Sequence, residues 1–501
     1  MNKIMKNKIL SVVLSFMVAA TLSLSVPFNV FAKDNAKISA TVKGKVKIYI
    51  SVSKNGKYKL IKGGKYSAGV GNTYFLKSSK NKVKWSVSNA DIATVSKNGK
   101  LTLKKVGKTK IFVTYKGGKK TGTEFSVKEF NGGNGTKAKP YKVANALQFK
   151  SIGNNLSKHF VLVKDIDFSN EKDMKPIGSF VPVGKEGEDA EKPVPEKAFT
   201  GSLDGKNHKL SNIKLGAPED TAVGLFGCAT NKASVSNLKI ENINVQGSML
   251  VGGVIGFATG DAVVNNLTLS GKNEITGAVG MVGGVIGGSS SSTVNNSKAS
   301  ANLTVTGGKE GESTGVGVIV GGGEDTNLNK CNVSNSKIKV AGENFFGVGS
   351  IAGCAHGSEM VKDCSASDVE ITTGKNNMLI GGLVGYAGSI TKDKTTVLEN
   401  CVTKNVSIKA GENSSRIGGI LGGGFYLKSF AKQVPEPAAF SIVKCKAGGD
   451  IEGGEIVGTI VGYLYKNSSV KDSESTVTLM GKKSDKTVGA DDKTLALDKL
   501  K

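Results

Sequence analysis

A short glycine-rich phrase that recurs along the chain most constrains what this sequence can fold into. It appears as Gly252-Gly253-Val254-Ile255-Gly256, and related copies extend to Gly458-Thr459-Ile460-Val461-Gly462. The closing glycines lie at residues 227, 256, 287, 321, 353, 385, 422 and 462. Self-similarity with a period of about 30 to 40 residues is typical of stacked repeat architectures. The phrase therefore predicts a solenoid over this part of the chain.

The first 32 residues have the pattern of an export signal. Three lysines precede an apolar stretch at residues 9–26, and residues 30–32 offer a small-residue cleavage site. No later segment has the roughly 18 uninterrupted apolar residues that a membrane span requires. We therefore expect a secreted or cell-surface protein without a transmembrane span. Because no wall-sorting pentapeptide is found near Lys501, surface attachment is expected to be non-covalent.

The net charge of +27 is concentrated near the N-terminus. Residues 33–130 contain 24 lysines and four acidic residues, whereas residues 131–501 carry only +4. Such a basic segment favours a polyanionic partner. The only arginine is Arg416, while sequence-specific nucleic-acid readers depend on the bidentate guanidinium group. An anionic cell-wall polymer or acidic glycan is therefore predicted, and no nucleic acid. The alternative, that the lysines only keep the surface soluble, stays open.

Residues 33–130 read as short strands separated by turn residues, a pattern that predicts a small β-sandwich. The segment resembles the bacterial Ig-like group 2 family, and its most similar motifs are Trp85-Ser86-Val87-Ser88-Asn89, Ile92-Ala93-Thr94-Val95, Asn98-Gly99-Lys100-Leu101 and Val106-Gly107-Lys108-Thr109. The resemblance implies a spacer, stalk or adhesive module. Seven of its lysines are candidate binding residues: Lys104, Lys105, Lys108, Lys110, Lys116, Lys119 and Lys120.

Residues 131–480 have the features of a right-handed parallel β-helix. One repeat, residues 263–287, contains three short extended stretches separated by turn residues, as one coil requires. Together with the turn Gly201-Ser202-Leu203-Asp204-Gly205, these repeats resemble GLUG-repeat and pectin-lyase-like proteins. We expect a cap and first coils over 131–198, with a short helix within 144–156 and a first strand within 159–168. Regular coils are expected over 199–480, followed by a C-terminal tail over 481–501.

Two sets of residues recur at fixed positions in the repeats. Cys331, Cys364, Cys401 and Cys445 occupy one position, and the other two cysteines each follow the closing glycine of a phrase. Because Leu or Ser holds the first position elsewhere, buried thiols are favoured over disulfides. The residue before that position is Asn237, Asn266, Asn296, Lys330, Asp363, Asn400, Lys444 or Asp472. Asn suits a left-handed bend, and Asn242, Asn335, Asp368 and Asn405 predict a second one.

The family resemblance also raises an enzymatic alternative, because pectin-lyase-like β-helices include polysaccharide lyases and glycoside hydrolases. The alternative is a polysaccharide lyase or another carbohydrate-active β-helix enzyme that acts on acidic glycans. A lyase requires a carboxylate cluster for calcium and a cationic base. The nearest approach to such a cluster is Asp363, Asp368, Glu370 and Glu399, for which solvated turn carboxylates are the favoured interpretation. GLUG repeats also accompany a metallopeptidase family that cleaves immunoglobulin A, but no His-Glu-x-x-His pair occurs here. No metal or cofactor is predicted.

These observations favour a non-enzymatic, adhesin-like surface protein. The β-helix would offer extended faces to a protein or glycan of a host or neighbouring cell, with loops providing specificity. Residues 183–198 form one candidate loop. Residues 424–440 form the other, where Phe425, Tyr426 and Phe430 are candidates for stacking on sugar rings. An equally open alternative is that these aromatic side chains pack onto the β-helix itself.

Overall fold

The computed structural model describes residues 46–172, 174–179, 197–307, 315–357, 360–388, 394–424 and 439–491. The chain divides into two compact units, Met1–Glu129 and Phe130–Lys501. The described residues are almost entirely β-structure, so the predicted all-β fold class is confirmed. The expected export signal lies outside the described residues, as do most of the 183–198 loop and all three candidate aromatic residues.

The N-terminal unit contains two sheets whose strands are mostly antiparallel. The strand order is β2-β1-β4-β7-β6 in one sheet and β3-β9-β8-β5 in the other, in which β3 and β9 are parallel. Lys116–Gly118 forms a 3-10 turn between the last two strands. The strands are β1 (Ile48–Ser51), β2 (Lys59–Leu60), β3 (Lys65–Gly69), β4 (Thr73–Ser78), β5 (Lys84–Val87), β6 (Ala93–Val95), β7 (Lys100–Leu103), β8 (Gly107–Thr114) and β9 (Lys120–Lys128).

Side chains from both sheets form the core of this unit. Leu101 comes from the first sheet and Ile111 and Phe125 come from the second, and all three are fully buried. Trp85 only packs against this core from edge strand β5 and remains partly exposed. The motif that contains Gly99 forms the hairpin between β6 and β7, and Gly99 has a φ of +77° that favours glycine. The β-sandwich prediction is therefore confirmed.

Near the start of the second unit, a short helix follows the first strand, Tyr141–Val143. Helix α1 (Ala146–Lys150) is capped by Asn145, whose side chain accepts a hydrogen bond from the Gln148 backbone N–H at 3.0 Å. A 3-10 turn, Ser151–Asn154, follows. Phe149 is fully buried in the same core as Phe130, so Phe130 packs with this unit rather than with the Ig-like segment to which the sequence assigned it.

Three sheets of stacked strands make up the β-helix. A long sheet contains 24 described strands, and the other two contain eight and nine. In the first coils the strands are β10 (Tyr141–Val143), β11 (His159–Leu162), β12 (Ile166–Asp167), β13 (Ser202–Asp204), β14 (Lys209–Leu215), β15 (Ala222–Val223) and β16 (Phe226–Ala229). The expectation of one first strand within 159–168 is wrong, because that segment contains β11 and β12 and β10 precedes both.

Each of the following complete coils contributes one strand to the eight-stranded sheet and one to the nine-stranded sheet. All other strands of these coils belong to the long sheet. Up to the fourth glycine phrase, the strands of all three sheets are β17 (Ser234–Gly247), β18 (Leu250–Gly252), β19 (Ile255–Ala258), β20 (Val263–Ser270), β21 (Glu274–Gly277), β22 (Met281–Gly283), β23 (Ile286–Ser290), β24 (Thr293–Asn295), β25 (Lys298–Ala299), β26 (Asn302–Val305), β27 (Gly315–Gly317) and β28 (Val320–Glu324).

The later coils repeat this order. Their strands are β29 (Asn327–Asn329), β30 (Asn332–Val340), β31 (Phe346–Gly349), β32 (Ala352–His356), β33 (Met360–Lys362), β34 (Ser365–Thr373), β35 (Met378–Gly381), β36 (Val384–Gly388), β37 (Thr396–Glu399), β38 (Val402–Lys409), β39 (Ser415–Gly418), β40 (Leu421–Gly423), β41 (Phe440–Val443), β42 (Lys446–Ala447), β43 (Gly449–Glu452), β44 (Val457–Gly458), β45 (Val461–Leu464), β46 (Ser469–Lys471), β47 (Glu474–Ser475), β48 (Thr478–Leu479), β49 (Lys482–Lys483) and β50 (Val488–Asp491).

The glycine phrase forms the bend between the eight-stranded and nine-stranded sheets. Strand β22 ends at Gly283 and β23 begins at Ile286. A Cβ atom on Gly283 would lie 1.8 Å from the carbonyl oxygen of Ile286, and one on Gly284 would lie 2.3 Å from that of Val318 in the next coil. Neither glycine has positive φ, so the phrase is required by the close approach of backbones.

Both predicted rows of bends and the cysteine row are confirmed. The eight residues of the first bend all have φ between +49° and +54°, and Asn242, Asn335, Asp368 and Asn405 have φ between +47° and +59° at the second bend. All six cysteines are buried and free of disulfides. Cys364 accepts the Cys331 backbone N–H at 3.4 Å. Asn or Asp, whose short polar side chains tolerate the left-handed conformation, holds all these positions except Lys330 and Lys444.

The segment that the sequence assigned to a tail continues the β-helix as far as residue 491. Strand β50 pairs in parallel with β45 and extends the nine-stranded sheet. Strand β49 pairs with β48 in antiparallel orientation. Because glycine at 458 and 489 again allows the backbones to approach closely, residues 482–491 form a last, incomplete coil.

Candidate functional site

Two of the predicted lysines lie on the outward face of the four-stranded sheet. Lys108 and Lys110 are exposed on β8, where they alternate with the buried residues Thr109 and Ile111. This alternation follows from the pleat of a strand, which directs successive side chains to opposite faces. Both lysines therefore point to solvent from a rigid strand.

Lys120 joins this face from the neighbouring strand. It begins β9 and pairs with Thr114 of β8, whose side chain also faces outward. Its Nζ lies 3.8 Å from the centroid of the Phe112 ring, a distance suited to a cation–π contact. The contact holds the ammonium group near the sheet while Lys120 remains exposed.

The other four predicted lysines lie in the loops at the two ends of β8. Lys116 and Lys119 are exposed in the turn before Lys120. Lys104 and Lys105 precede β8 at its other end, and the Nζ of Lys104 donates to the carbonyl oxygen of Ala90 at 3.3 Å. The seven lysines thus divide into a sheet-face group and two loop groups.

Three further lysines share the outward sheet face, and the sequence analysis did not select them. Lys65 pairs with Glu124, Lys84 with Thr114 and Lys128 with Gly69, so all three point outward. We refer to Lys65, Lys84, Lys108, Lys110, Lys120 and Lys128 as the lysine face. The alternation of each strand is visible in the sequence, but the strand order β3-β9-β8-β5 that brings these residues together is not.

The lysine face is almost free of compensating charge. Glu124 is the acidic residue among its outward strand positions. None of the six lysines takes part in an ion pair within the described part of the chain. Neighbouring strands lie about 4.8 Å apart, so the positive charges repeat at short intervals. Such a surface attracts polyanions.

The four carboxylates considered for a lyase each have their own partner. Asp363 accepts from Asn400 at 2.6 Å, and Asp368 accepts from Asn405 at 2.8 Å. Glu399 pairs with Lys362 at 2.7 Å and Glu370 with Lys337 at 3.0 Å. Asp363 lies at the first bend and Glu399 directly precedes that bend in the next coil, whereas Asp368 lies at the second bend and Glu370 follows it. No set of three or more possible metal ligands occurs among the residues that the structure describes.

The single arginine does not face a groove. Arg416 is 3% exposed and has a φ of +59°. Its Nη1 lies 3.6 Å from the sulfur of Met378, and its guanidinium carbon lies 5.6 Å from the centroid of the Tyr463 ring. Burial lowers the pKa of Arg416. The side chain therefore packs into the β-helix instead of pairing with Asp363 or Glu399.

The aromatic candidates Phe425, Tyr426 and Phe430 lie outside the described residues, and so does most of the loop at 183–198. Their role in binding stays a prediction. No helix within the described ranges is long and apolar enough to cross a membrane.

Residues 49–124 match the model of the family "Bacterial Ig-like domain (group 2)". Halomucin from Haloquadratum walsbyi is 31% identical over 157 residues, which are 30% of this chain and 2% of that protein. A "Putative Gly-rich membrane protein" from Evansella cellulosilytica is 29% identical over 145 residues, 28% of this chain and 15% of that protein. The chain thus spans a small part of the relatives it matches.

Two solved structures are similar to parts of the chain. A putative immunoglobulin A1 protease from Bacteroides ovatus has a TM-score of 0.39 and 17% identity, covering 70% of this chain and 87% of that one. An intimin mutant from EHEC O157:H7 has a TM-score of 0.14 and 23% identity, covering 16% of this chain and 45% of that one.

Proposed function

We propose that this chain is an exported, non-enzymatic bacterial surface protein of the adhesin type. Its Ig-like domain binds an anionic cell-wall polymer or acidic glycan, and its β-helix presents a surface for a protein or glycan of a host or neighbouring cell. Attachment through the Ig-like domain is non-covalent. The observation that carries the proposal is the lysine face, with six lysines against one carboxylate.

The chemistry of lysine fits a polymer with repeated negative charges. Its ammonium group is a compact point charge that does not require one ligand geometry, in contrast to the planar fork of arginine. Exposed charges that lack internal partners are available to a ligand, and their attraction is screened by salt. The two similar proteins are a halomucin and a "Putative Gly-rich membrane protein", names that agree with a location at the cell surface.

The test removes three charges from the lysine face of the otherwise intact chain. We expect the triple variant Lys108→Gln, Lys110→Gln, Lys120→Gln to bind poly(glycerol phosphate) and oligogalacturonate at least about tenfold more weakly, a loss of about 1.4 kcal/mol. The matched control is Lys239→Gln, Lys272→Gln, Lys298→Gln, which removes three exposed lysines of the β-helix. Binding to immobilised polymer is measured from low to high salt.

Two results would overturn the proposal. Equal loss in both triple variants would mean that net charge alone governs binding, and salt-independent binding would exclude an electrostatic contact. The proposal that the protein is not an enzyme is tested by a separate measurement. Incubation with acidic polysaccharides should leave the ultraviolet absorbance unchanged, whereas a rise that Asp363→Ala abolishes would identify a lyase.

A further inference from the structure

A groove lined by both polar and apolar groups follows the second bend on the outer face of the long sheet. One concavity, of about 430 Å³, is lined by residues that include Asn335, Lys337 and Glu370. A second, of about 690 Å³, lies towards the C-terminal coils and includes Asp450. Asn405 and Ser407 line both. The two concavities are therefore parts of one groove that crosses successive coils.

The wide end of this groove arises where one coil is a residue short. Val402 pairs with Lys446, and Val406 pairs with Gly449. Between these two pairs, one coil has three residues, 403–405, whereas the next coil has only two, 447–448. Gly448 and Gly449 have no side chains to fill the gap, and a Cβ on Gly449 would lie 2.0 Å from the carbonyl oxygen of Val406. The missing residue thus interrupts the second bend and widens the concavity.

The walls of the groove carry balanced charge. Its lining contains four lysines, at 337, 404, 409 and 446, and four acidic residues, at 368, 370, 450 and 474. Lys337 pairs with Glu370 at 3.0 Å, and Lys446 pairs with Glu474 at 2.6 Å. Because positive and negative groups compensate each other, the groove offers no net attraction to a polyanion, in contrast to the lysine face.

Beside apolar residues such as Val369, Val402 and Val406, the lining contains uncharged hydrogen-bond donors and acceptors. Asn335, Asp368 and Asn405 occupy equivalent positions in consecutive coils and are exposed. The side-chain amide of Asn405 donates to Asp368 at 2.8 Å. Equivalent groups recur at about 4.8 Å from coil to coil. A ligand that contacts them all must be extended and must present polar groups at regular intervals.

We propose that this groove binds an extended, uncharged glycan that lies across the coils. The hydroxyl groups of a glycan both donate and accept hydrogen bonds. They can therefore bond to the amide, hydroxyl, carboxylate and ammonium groups of the groove. Asn335, Asn405 and Ser407 provide the central contacts. The proposal rests on the proposed role of the β-helix as a presented binding surface, and it names both the site and the ligand class.

The test blocks the middle of the groove with one large side chain. Isothermal titration calorimetry is performed on the whole chain with cellohexaose and chitohexaose as uncharged probes and oligogalacturonate as the charged one. We expect Ser407→Trp to weaken binding of an uncharged probe at least tenfold, about 1.4 kcal/mol. Ser236→Trp is the matched control, because Ser236 is also partly exposed and outward-facing on the long sheet. It should leave affinity within about twofold, or about 0.4 kcal/mol.

A second variant keeps the test valid if the tryptophan disturbs the coil. Ser407→Ala with Lys409→Ala removes two polar groups from the groove without adding bulk. Loss of individual hydrogen bonds predicts about threefold to tenfold weaker binding, with unchanged circular dichroism and thermal midpoint. Unaltered affinity in this double variant would overturn the proposal, as would failure of both uncharged probes to bind.

The binding test for the groove and the binding test for the lysine face give results that can be told apart. Binding in the groove should be insensitive to salt and unaffected by the Lys108, Lys110 and Lys120 substitutions. In the chain that carries Lys108→Gln, Lys110→Gln and Lys120→Gln, preference for oligogalacturonate over both uncharged probes would refute the groove, as would an equal loss in Ser236→Trp. Neither result would change the binding of poly(glycerol phosphate) by the Ig-like domain of the unsubstituted chain. Conversely, loss of the polyanion contact would not change the affinity for cellohexaose.

Discussion

Asn400 donates a hydrogen bond from Nδ2 to Oδ1 of Asp363, the equivalent residue of the preceding coil, at 2.6 Å. Both residues have a φ of +54°. Each therefore has two roles, since it adopts the left-handed conformation of the first bend and links one coil to the next. The hydrogen bond from Asn266 to Asn237 at 2.8 Å repeats this arrangement nearer the N-terminus.

Replacing Asn400 should separate these two roles. Asn400→Ala loses the hydrogen bond and also places a Cβ-bearing residue without a polar side chain in the left-handed region, which costs roughly 1–2 kcal/mol. Asn400→Gly loses only the hydrogen bond, about 1 kcal/mol. Urea denaturation should therefore rank the alanine variant as the less stable of the two. Equal stability would mean that the bend imposes no conformational cost.

Gly283→Ala should destabilise the β-helix by about 1–3 kcal/mol, because the new methyl group would overlap the backbone of Ile286. Gly153→Ala is the control. No atom lies within 4 Å of a Cβ at Gly153, and its φ is not positive. Thermal unfolding should show a lower midpoint for the first variant only. A similar effect of both substitutions would contradict the close-packing explanation of the phrase.

The six cysteines should be unreactive in the folded protein. All six are buried, so the reagent does not reach their sulfur atoms in the native state. At Cys228 burial also raises the pKa of the thiol to about 11, which makes its nucleophilic thiolate scarce. We expect 5,5′-dithiobis(2-nitrobenzoic acid) to label none of them at pH 8 before denaturation and all six afterwards. Rapid labelling of the native protein, or a mass that indicates disulfides, would disagree with the structure.

His356 should make stability sensitive to mild acid. Its ring contacts that of Tyr386, with centroids 4.7 Å apart, and burial lowers its pKa to about 4. The unfolded chain has an ordinary histidine pKa of about 6.5. Between these values the unfolded state binds a proton that the native state does not, so stability decreases as pH falls from 6.5 to 4.

The measurement compares thermal midpoints at pH 7, 5 and 4 for the protein and for His356→Gln. The variant cannot take up this proton, so its midpoint should fall less over the interval. Parallel curves for the two proteins would show that His356 is not protected from protonation in the folded state.

Much of the β-helix could be predicted because each coil contacts mainly its neighbours. Equivalent sequence positions then become neighbours in space, which is why the rows that contain Cys364 and Asn400 were predicted correctly. The same logic explains the glycine phrase. Backbone contact at Gly284 excludes a side chain in every coil where the two smaller sheets meet.

Other features depend on information that periodicity does not contain. Lys65 and Lys128 join the lysine face only because β3 and β9 pair across a long stretch of sequence. The groove depends on a single missing residue near Gly448, which becomes visible only when the register between β38 and its neighbours is known. Arg416 lies beside a glycine phrase in sequence, but its burial results from packing against Met378 and Tyr463.

The last strand of the long sheet has a consequence for self-association. A stack of parallel strands has no inherent stopping point, and an open edge can recruit another chain. Here β49 runs antiparallel to β48, while every other pairing between described strands of this sheet is parallel. The two residues of β49, Lys482 and Lys483, are both exposed. Within the described part of the chain, this reversed and charged edge of the long sheet makes a poor template for a parallel strand of a second molecule.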